Sequence, residues 1–580
     1  MGRVLNKKVH QFFNFNSVTR KSVCKVCGMQ LSGNHSTNLK RHLHVKHGEI
    51  IREFDTEEEN KSKVIKKKKI TYETSEESIL NSIIKIVTTD GKPFMFLDSE
   101  GFKEIVDPIY NALGMNPITS RNIMSLVVER EESIKNDIRA LVQGKLLSLK
   151  IDVATRMDKA ILGVNLQMIM SNISKTEIIV KTLGMIQLTY THTGDYIKEK
   201  ILEIIEEYGI TVDQIFSVTS DNGRNMVKTV KILNDDMEEP FFEDDTEAEN
   251  WMGKLDEVSL ANIHLVRCAA HTLQLCVYDV NKLNKISQQI DICRKLCKTL
   301  RTETMSRILI EHNKNIPSLD VVTSWNSTYL MLKQLIELKE FLATKCCINT
   351  DIEWDWVETY VEAFKDAYDA TIKLQEKHLV YSEFFIIWTE LKLQCQNSKN
   401  FLKQKLLAQI ELRESKLLEN TALLSAIYMD PRVNRSLTDY QKYLATQNLK
   451  KIAFRLFELK HERRSIKSPS SAYLDDVETV PESIEEPISD KLVKIYFEVD
   501  NFDKMYSRLP LNADILQFFS DVKLKSPQLS DLAHVVLATP ATQVSVERAF
   551  SALHYILSER QSSISSHNLN SLLFVKLNSE

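Results

Sequence analysis

Long apolar runs are missing from this 580-residue sequence, which has 14 glycines, 12 prolines and nine cysteines. No stretch approaches the roughly 18 apolar residues of a membrane-spanning helix, and the polar opening MGRVLNKKVH does not fit a secretory signal. We therefore expect no membrane partner. Nine cysteines are too few for a disulfide scaffold, and two of them form a CxxC, which indicates a reducing compartment and a metal.

Acidic residues are absent from the first 48 residues, which hold nine Lys and Arg, whereas residues 235–249 hold nine acids and no base. The net charge of −4 conceals this segregation. A basic end of this kind favours a polyanionic partner. The chain is also longer than one hydrophobic core usually organises, so we expect several domains.

Two stretches lose hydrophobic periodicity and predict linkers. Residues 51–77 pass through EFDTEEENKSKV and reach KKKK at Lys66 to Lys69, which is typical either of a nuclear import signal or of a solvated linker. Residues 465–490 are rich in Ser, Pro and acid.

The basic end contains a strong metal-binding pattern. Cys24-x2-Cys27 is followed, after fourteen residues, by His42-x4-His47. Two thiolates and two imidazoles are the tetrahedral set that Zn²⁺ prefers in a structural site. A domain this small has too little core to fold alone, so we expect it to fold on the metal.

A helix should present the two histidines. We expect it to begin near Ser36 or Thr37, capped by a hydroxyl, with Leu39 and Leu43 on its packed face. His44 lies about 200° around an ideal helix from the first histidine, so it points away from the metal.

This region resembles the BED zinc finger, a DNA-binding module of transposases and chromatin-boundary proteins. An upstream Phe pair, the CxxC and STNLKRHLxxxxH carry the resemblance, while His10 stands where the family usually has Trp. The resemblance implies a finger over residues 4–50 with double-stranded DNA as partner. It places Lys40, Arg41 and Lys46 for phosphate or base-edge contacts.

Period-two alternation begins at Leu147, in LSLKIDV, and predicts a strand whose Asp152 faces away from the apolar side. AILGVNLQMIM and TEIIVKTLGMIQL predict two more strands, GDYIKEKILEIIEEYGI a helix, and QIFSVTSD a strand ending at Asp221. An antiparallel meander, a crossover helix and a parallel strand beside the first would bring these acids onto neighbouring strands. An Asp at a strand-to-helix junction is otherwise most often a helix cap.

Six sequence blocks resemble those of the hAT superfamily of DNA transposases, in the family's chain order. They are THTGDYIKEKIL, TSDNGRNMV, RCAAHTLQL, VVTSWNSTYLML, AIYMDPR and TPATQVSVERAFSAL. The resemblance implies a multidomain α/β protein, in which a large α-helical insertion interrupts an RNase H-like core, with a BED finger before it and a helical dimerisation region after it. The expected boundaries are a helical DNA-binding or oligomerisation segment at 78–145, the first part of the core at 146–281, the insertion at 282–505, and the last core helix with the dimerisation region at 506–580.

The same resemblance implies that Asp152, Asp221 and Glu547 are the acidic metal ligands of a catalytic site for Mg²⁺ or Mn²⁺. Transfer of a DNA strand is an in-line displacement at phosphorus, which two such ions about 3.5–4 Å apart promote. Carboxylate oxygens are the hard ligands that these cations need.

The resemblance further implies DNA contacts by His271, in a CxxH beside the scissile phosphate, and by Trp325, which would stack on a base turned out of the duplex. Each side chain also fits an ordinary core position. Arg548 is either a surface charge or a phosphate contact. At the end of the chain, a leucine stripe that includes Leu572 and Leu573 fits either a core or a self-association interface.

Two functions stay open. Ser324 stands where the family commonly has Arg, and Ala154 where it commonly has Trp, which favours a nuclear, zinc-dependent regulator of transcription or chromatin that binds specific DNA as an oligomer. The retained acids favour an active cut-and-paste transposase.

Overall fold

The computed structural model is a mixed α/β protein that is mostly helical. It divides into two compact units, Met1–Ser75 and Glu76–Glu580. The structure describes residues 7–50, 73–156, 159–171, 175–190, 192–221, 223–233, 263–321, 324–346, 351–466, 488–556 and 566–579. The Lys66–Lys69 run, the acidic run at 235–249 and most of both predicted linkers lie outside these residues.

The first unit is a small three-stranded antiparallel sheet with a helix. Its elements in chain order are α1 (Lys7–His10), β1 (Phe13–Asn16), β2 (Lys21–Cys24), β3 (Gln30–Ser32) and α2 (Ser36–Lys46). The strand order is β1-β2-β3. Val9, Phe13, Leu39 and Leu43 form its buried apolar cluster. So few buried side chains cannot stabilise a domain without a further interaction.

The second unit is built around a five-stranded sheet. Its strands are β4 (Leu147–Arg156), β5 (Lys159–Ser171), β6 (Thr176–Leu188), β7 (Ile215–Ser220) and β8 (His264–Arg267). The order is β6-β5-β4-β7-β8, in which β6, β5 and β4 pair antiparallel and β4, β7 and β8 pair parallel. The predicted meander with a parallel strand beside its first strand is therefore confirmed.

Helices precede, interrupt and follow this sheet. Those before it are α3 (Glu76–Thr88), α4 (Glu100–Leu113) and α5 (Ile123–Val142), and α6 (Gly194–Glu206) and α7 (Arg224–Leu233) flank β7. Those after it are α8 (Ala269–Asn281), α9 (Asn284–Leu300), α10 (Glu303–Glu311), α11 (Trp325–Phe341), α12 (Trp354–Leu374), α13 (Tyr381–Gln396), α14 (Phe401–Leu417), α15 (Thr421–Tyr428), α16 (Asp439–Ile466), α17 (Ile488–Asp500), α18 (Phe502–Met505), α19 (Ile515–Lys523), α20 (Pro527–Leu537), α21 (Val544–Ile556) and α22 (Ser566–Asn578).

Alternation along β4 separates an apolar face from a polar one. Leu149 and Ile151 are fully buried in a cluster that also contains Ile138 of α5 and Ile201 of α6. Ser148, Lys150 and Asp152 point to the opposite face, as period-two spacing requires. The helix that follows β8 and the long helical series after it supply a second, larger apolar cluster.

The C-terminal leucine stripe belongs to the core. Leu572 joins the apolar cluster on one face of the sheet, and Leu573 packs with Ile161, Met185 and Phe550. An interface role for these two leucines, which the stripe alone left open, is therefore wrong. The stripe is buried because α22 returns to the sheet and to α5.

None of the described helices combines the length and apolarity needed to cross a bilayer.

Candidate functional site

A metal site in the first unit is formed by a tight turn and a helix. Cys24 ends β2 and Cys27 lies in the turn that follows, where the Gly28 N–H donates to the Cys24 carbonyl at 2.8 Å. Gly28 has a φ of +71°, a left-handed conformation that a side chain disfavours. Helix α2 presents His42 across from this turn, and His47 lies just beyond its end.

The four ligand atoms are close enough for one ion. Cys27 Sγ lies 3.3 Å from His42 Nε2, Cys24 Sγ lies 3.6 Å from His47 Nε2, and all four atoms are within 4.8 Å of one another. A tetrahedral ion with Zn–S of about 2.3 Å and Zn–N of about 2.0–2.1 Å separates sulfur from nitrogen by about 3.6 Å. The donor set therefore fits Zn²⁺.

The surroundings of His42 favour its metal-binding form. Burial, and then the neighbouring His47 and Lys46, lower the pKa of His42. A neutral imidazole has a free lone pair, so this shift favours coordination.

The helix begins as predicted but is capped differently. It starts at Ser36, and its N-cap is His35, which makes no side-chain capping bond. The predicted hydroxyl cap is therefore wrong. The Ser36 hydroxyl instead lies 2.8 Å from His10 Nε2, so the residue that replaces the usual Trp contacts the helix start.

Basic side chains cover the outer side of α2. Lys40, Arg41 and Lys46 are exposed, as is His44, whereas Leu39 and Leu43 are fully buried. The positive charges thus lie where a phosphate backbone can reach them.

A second candidate site lies at the carboxyl ends of two parallel strands. Lys150 of β4 is in register with Thr219 of β7, and Asp152 and Asp221 each lie two residues beyond that pair. Glu547 lies in the first turn of α21, which packs on β4 and β5. Strand order and helix packing thus bring together the three acids that the family resemblance selected.

Burial, together with the negative charges of Asp221 and Glu547, raises the pKa of Asp152. Asp152 is only 8% exposed, and its pKa is raised to about 7 by burial and then by the charges of Asp221 and Glu547. Loss of hydration beside its protein neighbours also raises the pKa of Glu547, although its side chain is exposed and a hydrogen bond with Gln543 opposes the shift. Among the described residues, the finger ligands are the one group of three or more His, Cys, Asp or Glu side chains that lie close enough to share an ion.

The Asp221 side chain also accepts a hydrogen bond from the backbone of the turn in which it lies. The Gly223 N–H donates to Asp221 Oδ1 at 3.0 Å, next to the start of α7. The side chain borders a depression of about 350 Å³ that Val153 and His192 also line. This bond closes a turn ahead of α7, which begins at Arg224, and is not the bond to an N–H group of the first helical turn that the helix-cap interpretation requires. The Asp221 side chain keeps access to solvent on its other side.

A glycine in β5, not predicted as a site residue, determines how closely the helix that carries Glu547 approaches the sheet. Gly163 of β5 is the cross-strand partner of Asp152, and a Cβ placed on it would lie 2.5 Å from Val546 Cγ1. Helix α21 can approach the sheet this closely, and hold Glu547 near Asp152, because Gly163 has no side chain. A glycine inside a strand is the signal that pointed to such a contact.

Lys150 is the other missed residue. It is buried on the same face as Asp152, and burial lowers its pKa to about 7, with the cations Arg548 and Lys377 adding to the shift. The nearby Cys268 opposes this shift more than either cation adds to it, and burial raises the pKa of the Cys268 thiol to about 11.

The remaining DNA-contact candidates differ in position. His271 of α8 is half-buried, and burial lowers the pKa of its imidazole. The nearby Asp221 carboxylate opposes this shift. Arg548 is exposed and donates to the Gln375 carbonyl at 2.8 Å, which joins α21 to the end of α12.

Trp325 is buried. It is 3% exposed, and its ring packs near Tyr329, Phe364 and Tyr368 at centroid distances of 6.4, 6.4 and 6.5 Å. In this conformation Trp325 is a core aromatic, and stacking on a DNA base would require the ring to leave this cluster.

Comparison with known families defines the class of the protein. Residues 7–48 match the BED zinc finger, 172–244 the ZBED1 RNase-like domain, 266–359 the ZBED1 RNase-like helical domain, and 496–579 the hAT family C-terminal dimerisation region. The chain is thus hAT transposase-like with an N-terminal BED finger, which points to DNA binding and self-association.

Individual relatives are similar over most of this chain. "Putative transcriptional regulator tpeD" of Talaromyces stipitatus is 23% identical over 559 residues, which are 85% of this chain and 61% of the relative. "Putative AC transposase" of Zea mays is 23% identical over 536 residues, which are 83% of this chain and 63% of the relative. The chain therefore spans about three fifths of the length of these relatives.

Proposed function

We propose that this chain is a nuclear, zinc-dependent DNA-binding protein that acts as an oligomer and regulates transcription or chromatin. The observation that carries this proposal is the set of four finger ligands within 4.8 Å, beside a helix whose outer side is basic. Phosphate contacts by Lys40, Arg41 and Lys46 would supply affinity. The resemblance to a relative named as a transcriptional regulator, together with Ser324 and Ala154, supports the regulatory role.

The finger can be tested through one ligand. Cys27→Ser should lower the zinc content by one ion per chain and abolish finger-dependent DNA binding, because metal binding supplies most of the folding energy of so small a unit. Since the finger is a separate compact unit, the melting of the second unit should not change. Metal analysis, DNA titration and calorimetry measure these three quantities.

His44→Ala is the matched control. This histidine is exposed on the same helix and is not one of the four ligands, so the variant should keep its zinc. Stoichiometric zinc together with full DNA affinity in Cys27→Ser would disprove the ligand assignment.

The second candidate function is DNA cleavage by a transposase. The cluster formed by Asp152, Asp221 and Glu547 favours it, since neighbouring carboxylates that repel one another are a donor set suited to a divalent cation. The strand order β6-β5-β4-β7-β8 supports an RNase H-like interpretation of the sheet. Strands β6, β5 and β4 are antiparallel to one another, and β7 and β8 continue the sheet parallel to β4. With Mg²⁺ or Mn²⁺ bound, such a site supplies activation of the attacking oxygen and stabilisation of the leaving one.

The residues of this chain would act as follows. The three acids would hold the cation, and His271 and Arg548 would orient the phosphate backbone beside it. Asp221→Asn and Glu547→Gln should each abolish Mn²⁺-dependent nicking of DNA from the ends of the gene, if terminal inverted repeats flank it. Asn at position 221 can still accept the Gly223 bond, so the fold should persist. Nicking that survives both substitutions would exclude the three-acid site.

A further inference from the structure

Two positively charged side chains lie beside the acidic cluster. Arg548 directly follows Glu547 in α21, is exposed, and donates a hydrogen bond to the Gln375 carbonyl at 2.8 Å. Gln375 begins the loop that joins α12 to α13, and Lys377 is an exposed residue of the same loop. We call Lys377 and Arg548 the rim cations. The hydrogen bond brings a loop of the long helical series to the helix that carries one of the three acids.

Contacts on both sides of Lys377 hold this loop in place. Before it, the loop is bound to α21 through the carbonyl of Gln375. After it, Leu379 and Val380 are buried in the larger apolar cluster. Because the chain is anchored two residues away in each direction, the backbone of Lys377 has little freedom to move away from Arg548.

The charges of the rim cations are not neutralised within the part of the chain that the structure describes, where neither side chain forms an ion pair. Burial lowers the pKa of Lys150, and the charges of both rim cations add to that shift, so the three cations lie near one another. Lys373, four residues before Lys377, instead pairs with Glu390 at 3.2 Å. Positive charges that face one another without a partner favour the binding of an anion.

A phosphate of the DNA backbone is the anion that this position suits. The three acids beside the rim cations repel such a backbone, and two positive charges offset part of that repulsion. A guanidinium has five N–H groups, so Arg548 can donate to a phosphate while it keeps its bond to the loop. Lys377 adds an ammonium group with three further donors.

We propose that the rim cations bind a phosphate of double-stranded DNA beside the acidic cluster, so that the second unit contacts DNA in its own right. The inference rests on the proposed DNA-binding function and assigns Lys377 a role in it. Since Lys377 belongs to the loop between α12 and α13, the helical series that follows the sheet would take part in DNA binding.

Lysine acetylation of the full, zinc-loaded chain tests the contact directly. A long mixed-sequence duplex should slow acetylation of Lys377 by about threefold or more, because a phosphate-bound ammonium is shielded from the reagent. Lys373 is also exposed and should react at an unchanged rate in the same sample. Mass spectrometry of the digested protein gives both rates. Inorganic phosphate at matched ionic strength shows whether an isolated ion gives the same protection.

A charge substitution measures how much the contact contributes. Lys377→Gln should weaken duplex binding by about threefold or more at low salt, and it should reduce the slope of log K against log salt by about one, since fewer counterions are released. Lys377→Arg should keep both values. Lys373→Gln is the matched control, because it removes the same charge from an ion-paired lysine. Both lysines are exposed, so the melting of the second unit should match that of the wild type in all three variants.

The outcomes of these two experiments are distinguishable. Protection of Lys377 together with the smaller slope supports the proposal. Unchanged acetylation and an unchanged slope in Lys377→Gln would overturn it and leave DNA binding to the finger. Equal losses in Lys377→Gln and Lys373→Gln would also overturn it, because net charge alone would then explain them, and so would equal protection by inorganic phosphate. A wild type that binds no duplex would contradict the DNA-binding function itself, and the contact with it.

Discussion

Asp152→Asn is expected to stabilise the metal-free protein at pH 8. The pKa of Asp152 is raised from an ordinary value of 3.8 to about 7 by burial and by Asp221 and Glu547. Because the native state holds this proton more tightly than the unfolded state, the contribution is complete below about pH 4 and is lost as the pH rises to about 7. A neutral Asn escapes this loss, so the gain in unfolding free energy should approach about 4 kcal/mol above pH 7 and vanish near pH 3.

Melting curves across that pH range measure the effect, with and without Mn²⁺. Added Mn²⁺ should stabilise the wild type and leave Asp152→Asn unchanged, since a cation stabilises only the form that binds it. Asp195→Asn is the control, because this exposed carboxylate pairs with Lys228 and has a lowered pKa. Its effect should be small and of opposite sign. Equal, metal-independent melting of wild type and Asp152→Asn at all pH values would contradict a shared acidic site.

Gly163→Ala should both destabilise the second unit and loosen the acidic cluster. The new methyl group would lie 2.5 Å from Val546 Cγ1 and 3.4 Å from the Phe550 ring, and both neighbours are buried. Val546 is stiff at χ1, so helix α21 must move outward, at a cost of about 1–3 kcal/mol. Glu547 would move with it, and the pKa of Asp152 should fall because one repelling charge withdraws.

Denaturant unfolding of a double-mutant cycle with Val546→Ala tests this cause. Removing the γ-methyl groups makes room for the new one, so the double variant should be less destabilised than the two single changes predict, by about 1 kcal/mol or more. Gly101→Ala is the control, because a Cβ there meets nothing within 4 Å and the position is in a helix, where Ala is favoured. Additive energies would mean that the contact with Val546 does not set the position of α21.

Local patterns were sufficient for the strands and for the finger. The strand expected from Thr176 ends at Leu188, and the strand before Asp221 ends at Ser220, because both stretches are rich in β-branched residues that favour strands. The helix expected over residues 194–210 ends earlier, at Glu206, since Gly209 has a φ of +65° in the turn that follows.

Side-chain environment was harder to predict than secondary structure. A Trp at the start of a helix fits a DNA contact or a core aromatic equally well, and only the packing of α11 against α12 buries Trp325. The leucine stripe of α22 has the same ambiguity. An amphipathic pattern states that a face is apolar but not which surface covers it.

The sequence by itself determined the ligands of the finger, the strands β4 to β7 and the class of the protein, because ligand spacing, strand periodicity and family motifs are local properties of the chain. Only the tertiary structure decided that Gly163 admits α21 to the sheet, that the C-terminal leucines are core, and that the loop carrying Lys377 meets Arg548. These properties depend on contacts between residues hundreds of positions apart, such as Gly163 and Val546. Packing at that range follows from how whole elements fit together, which no local pattern records.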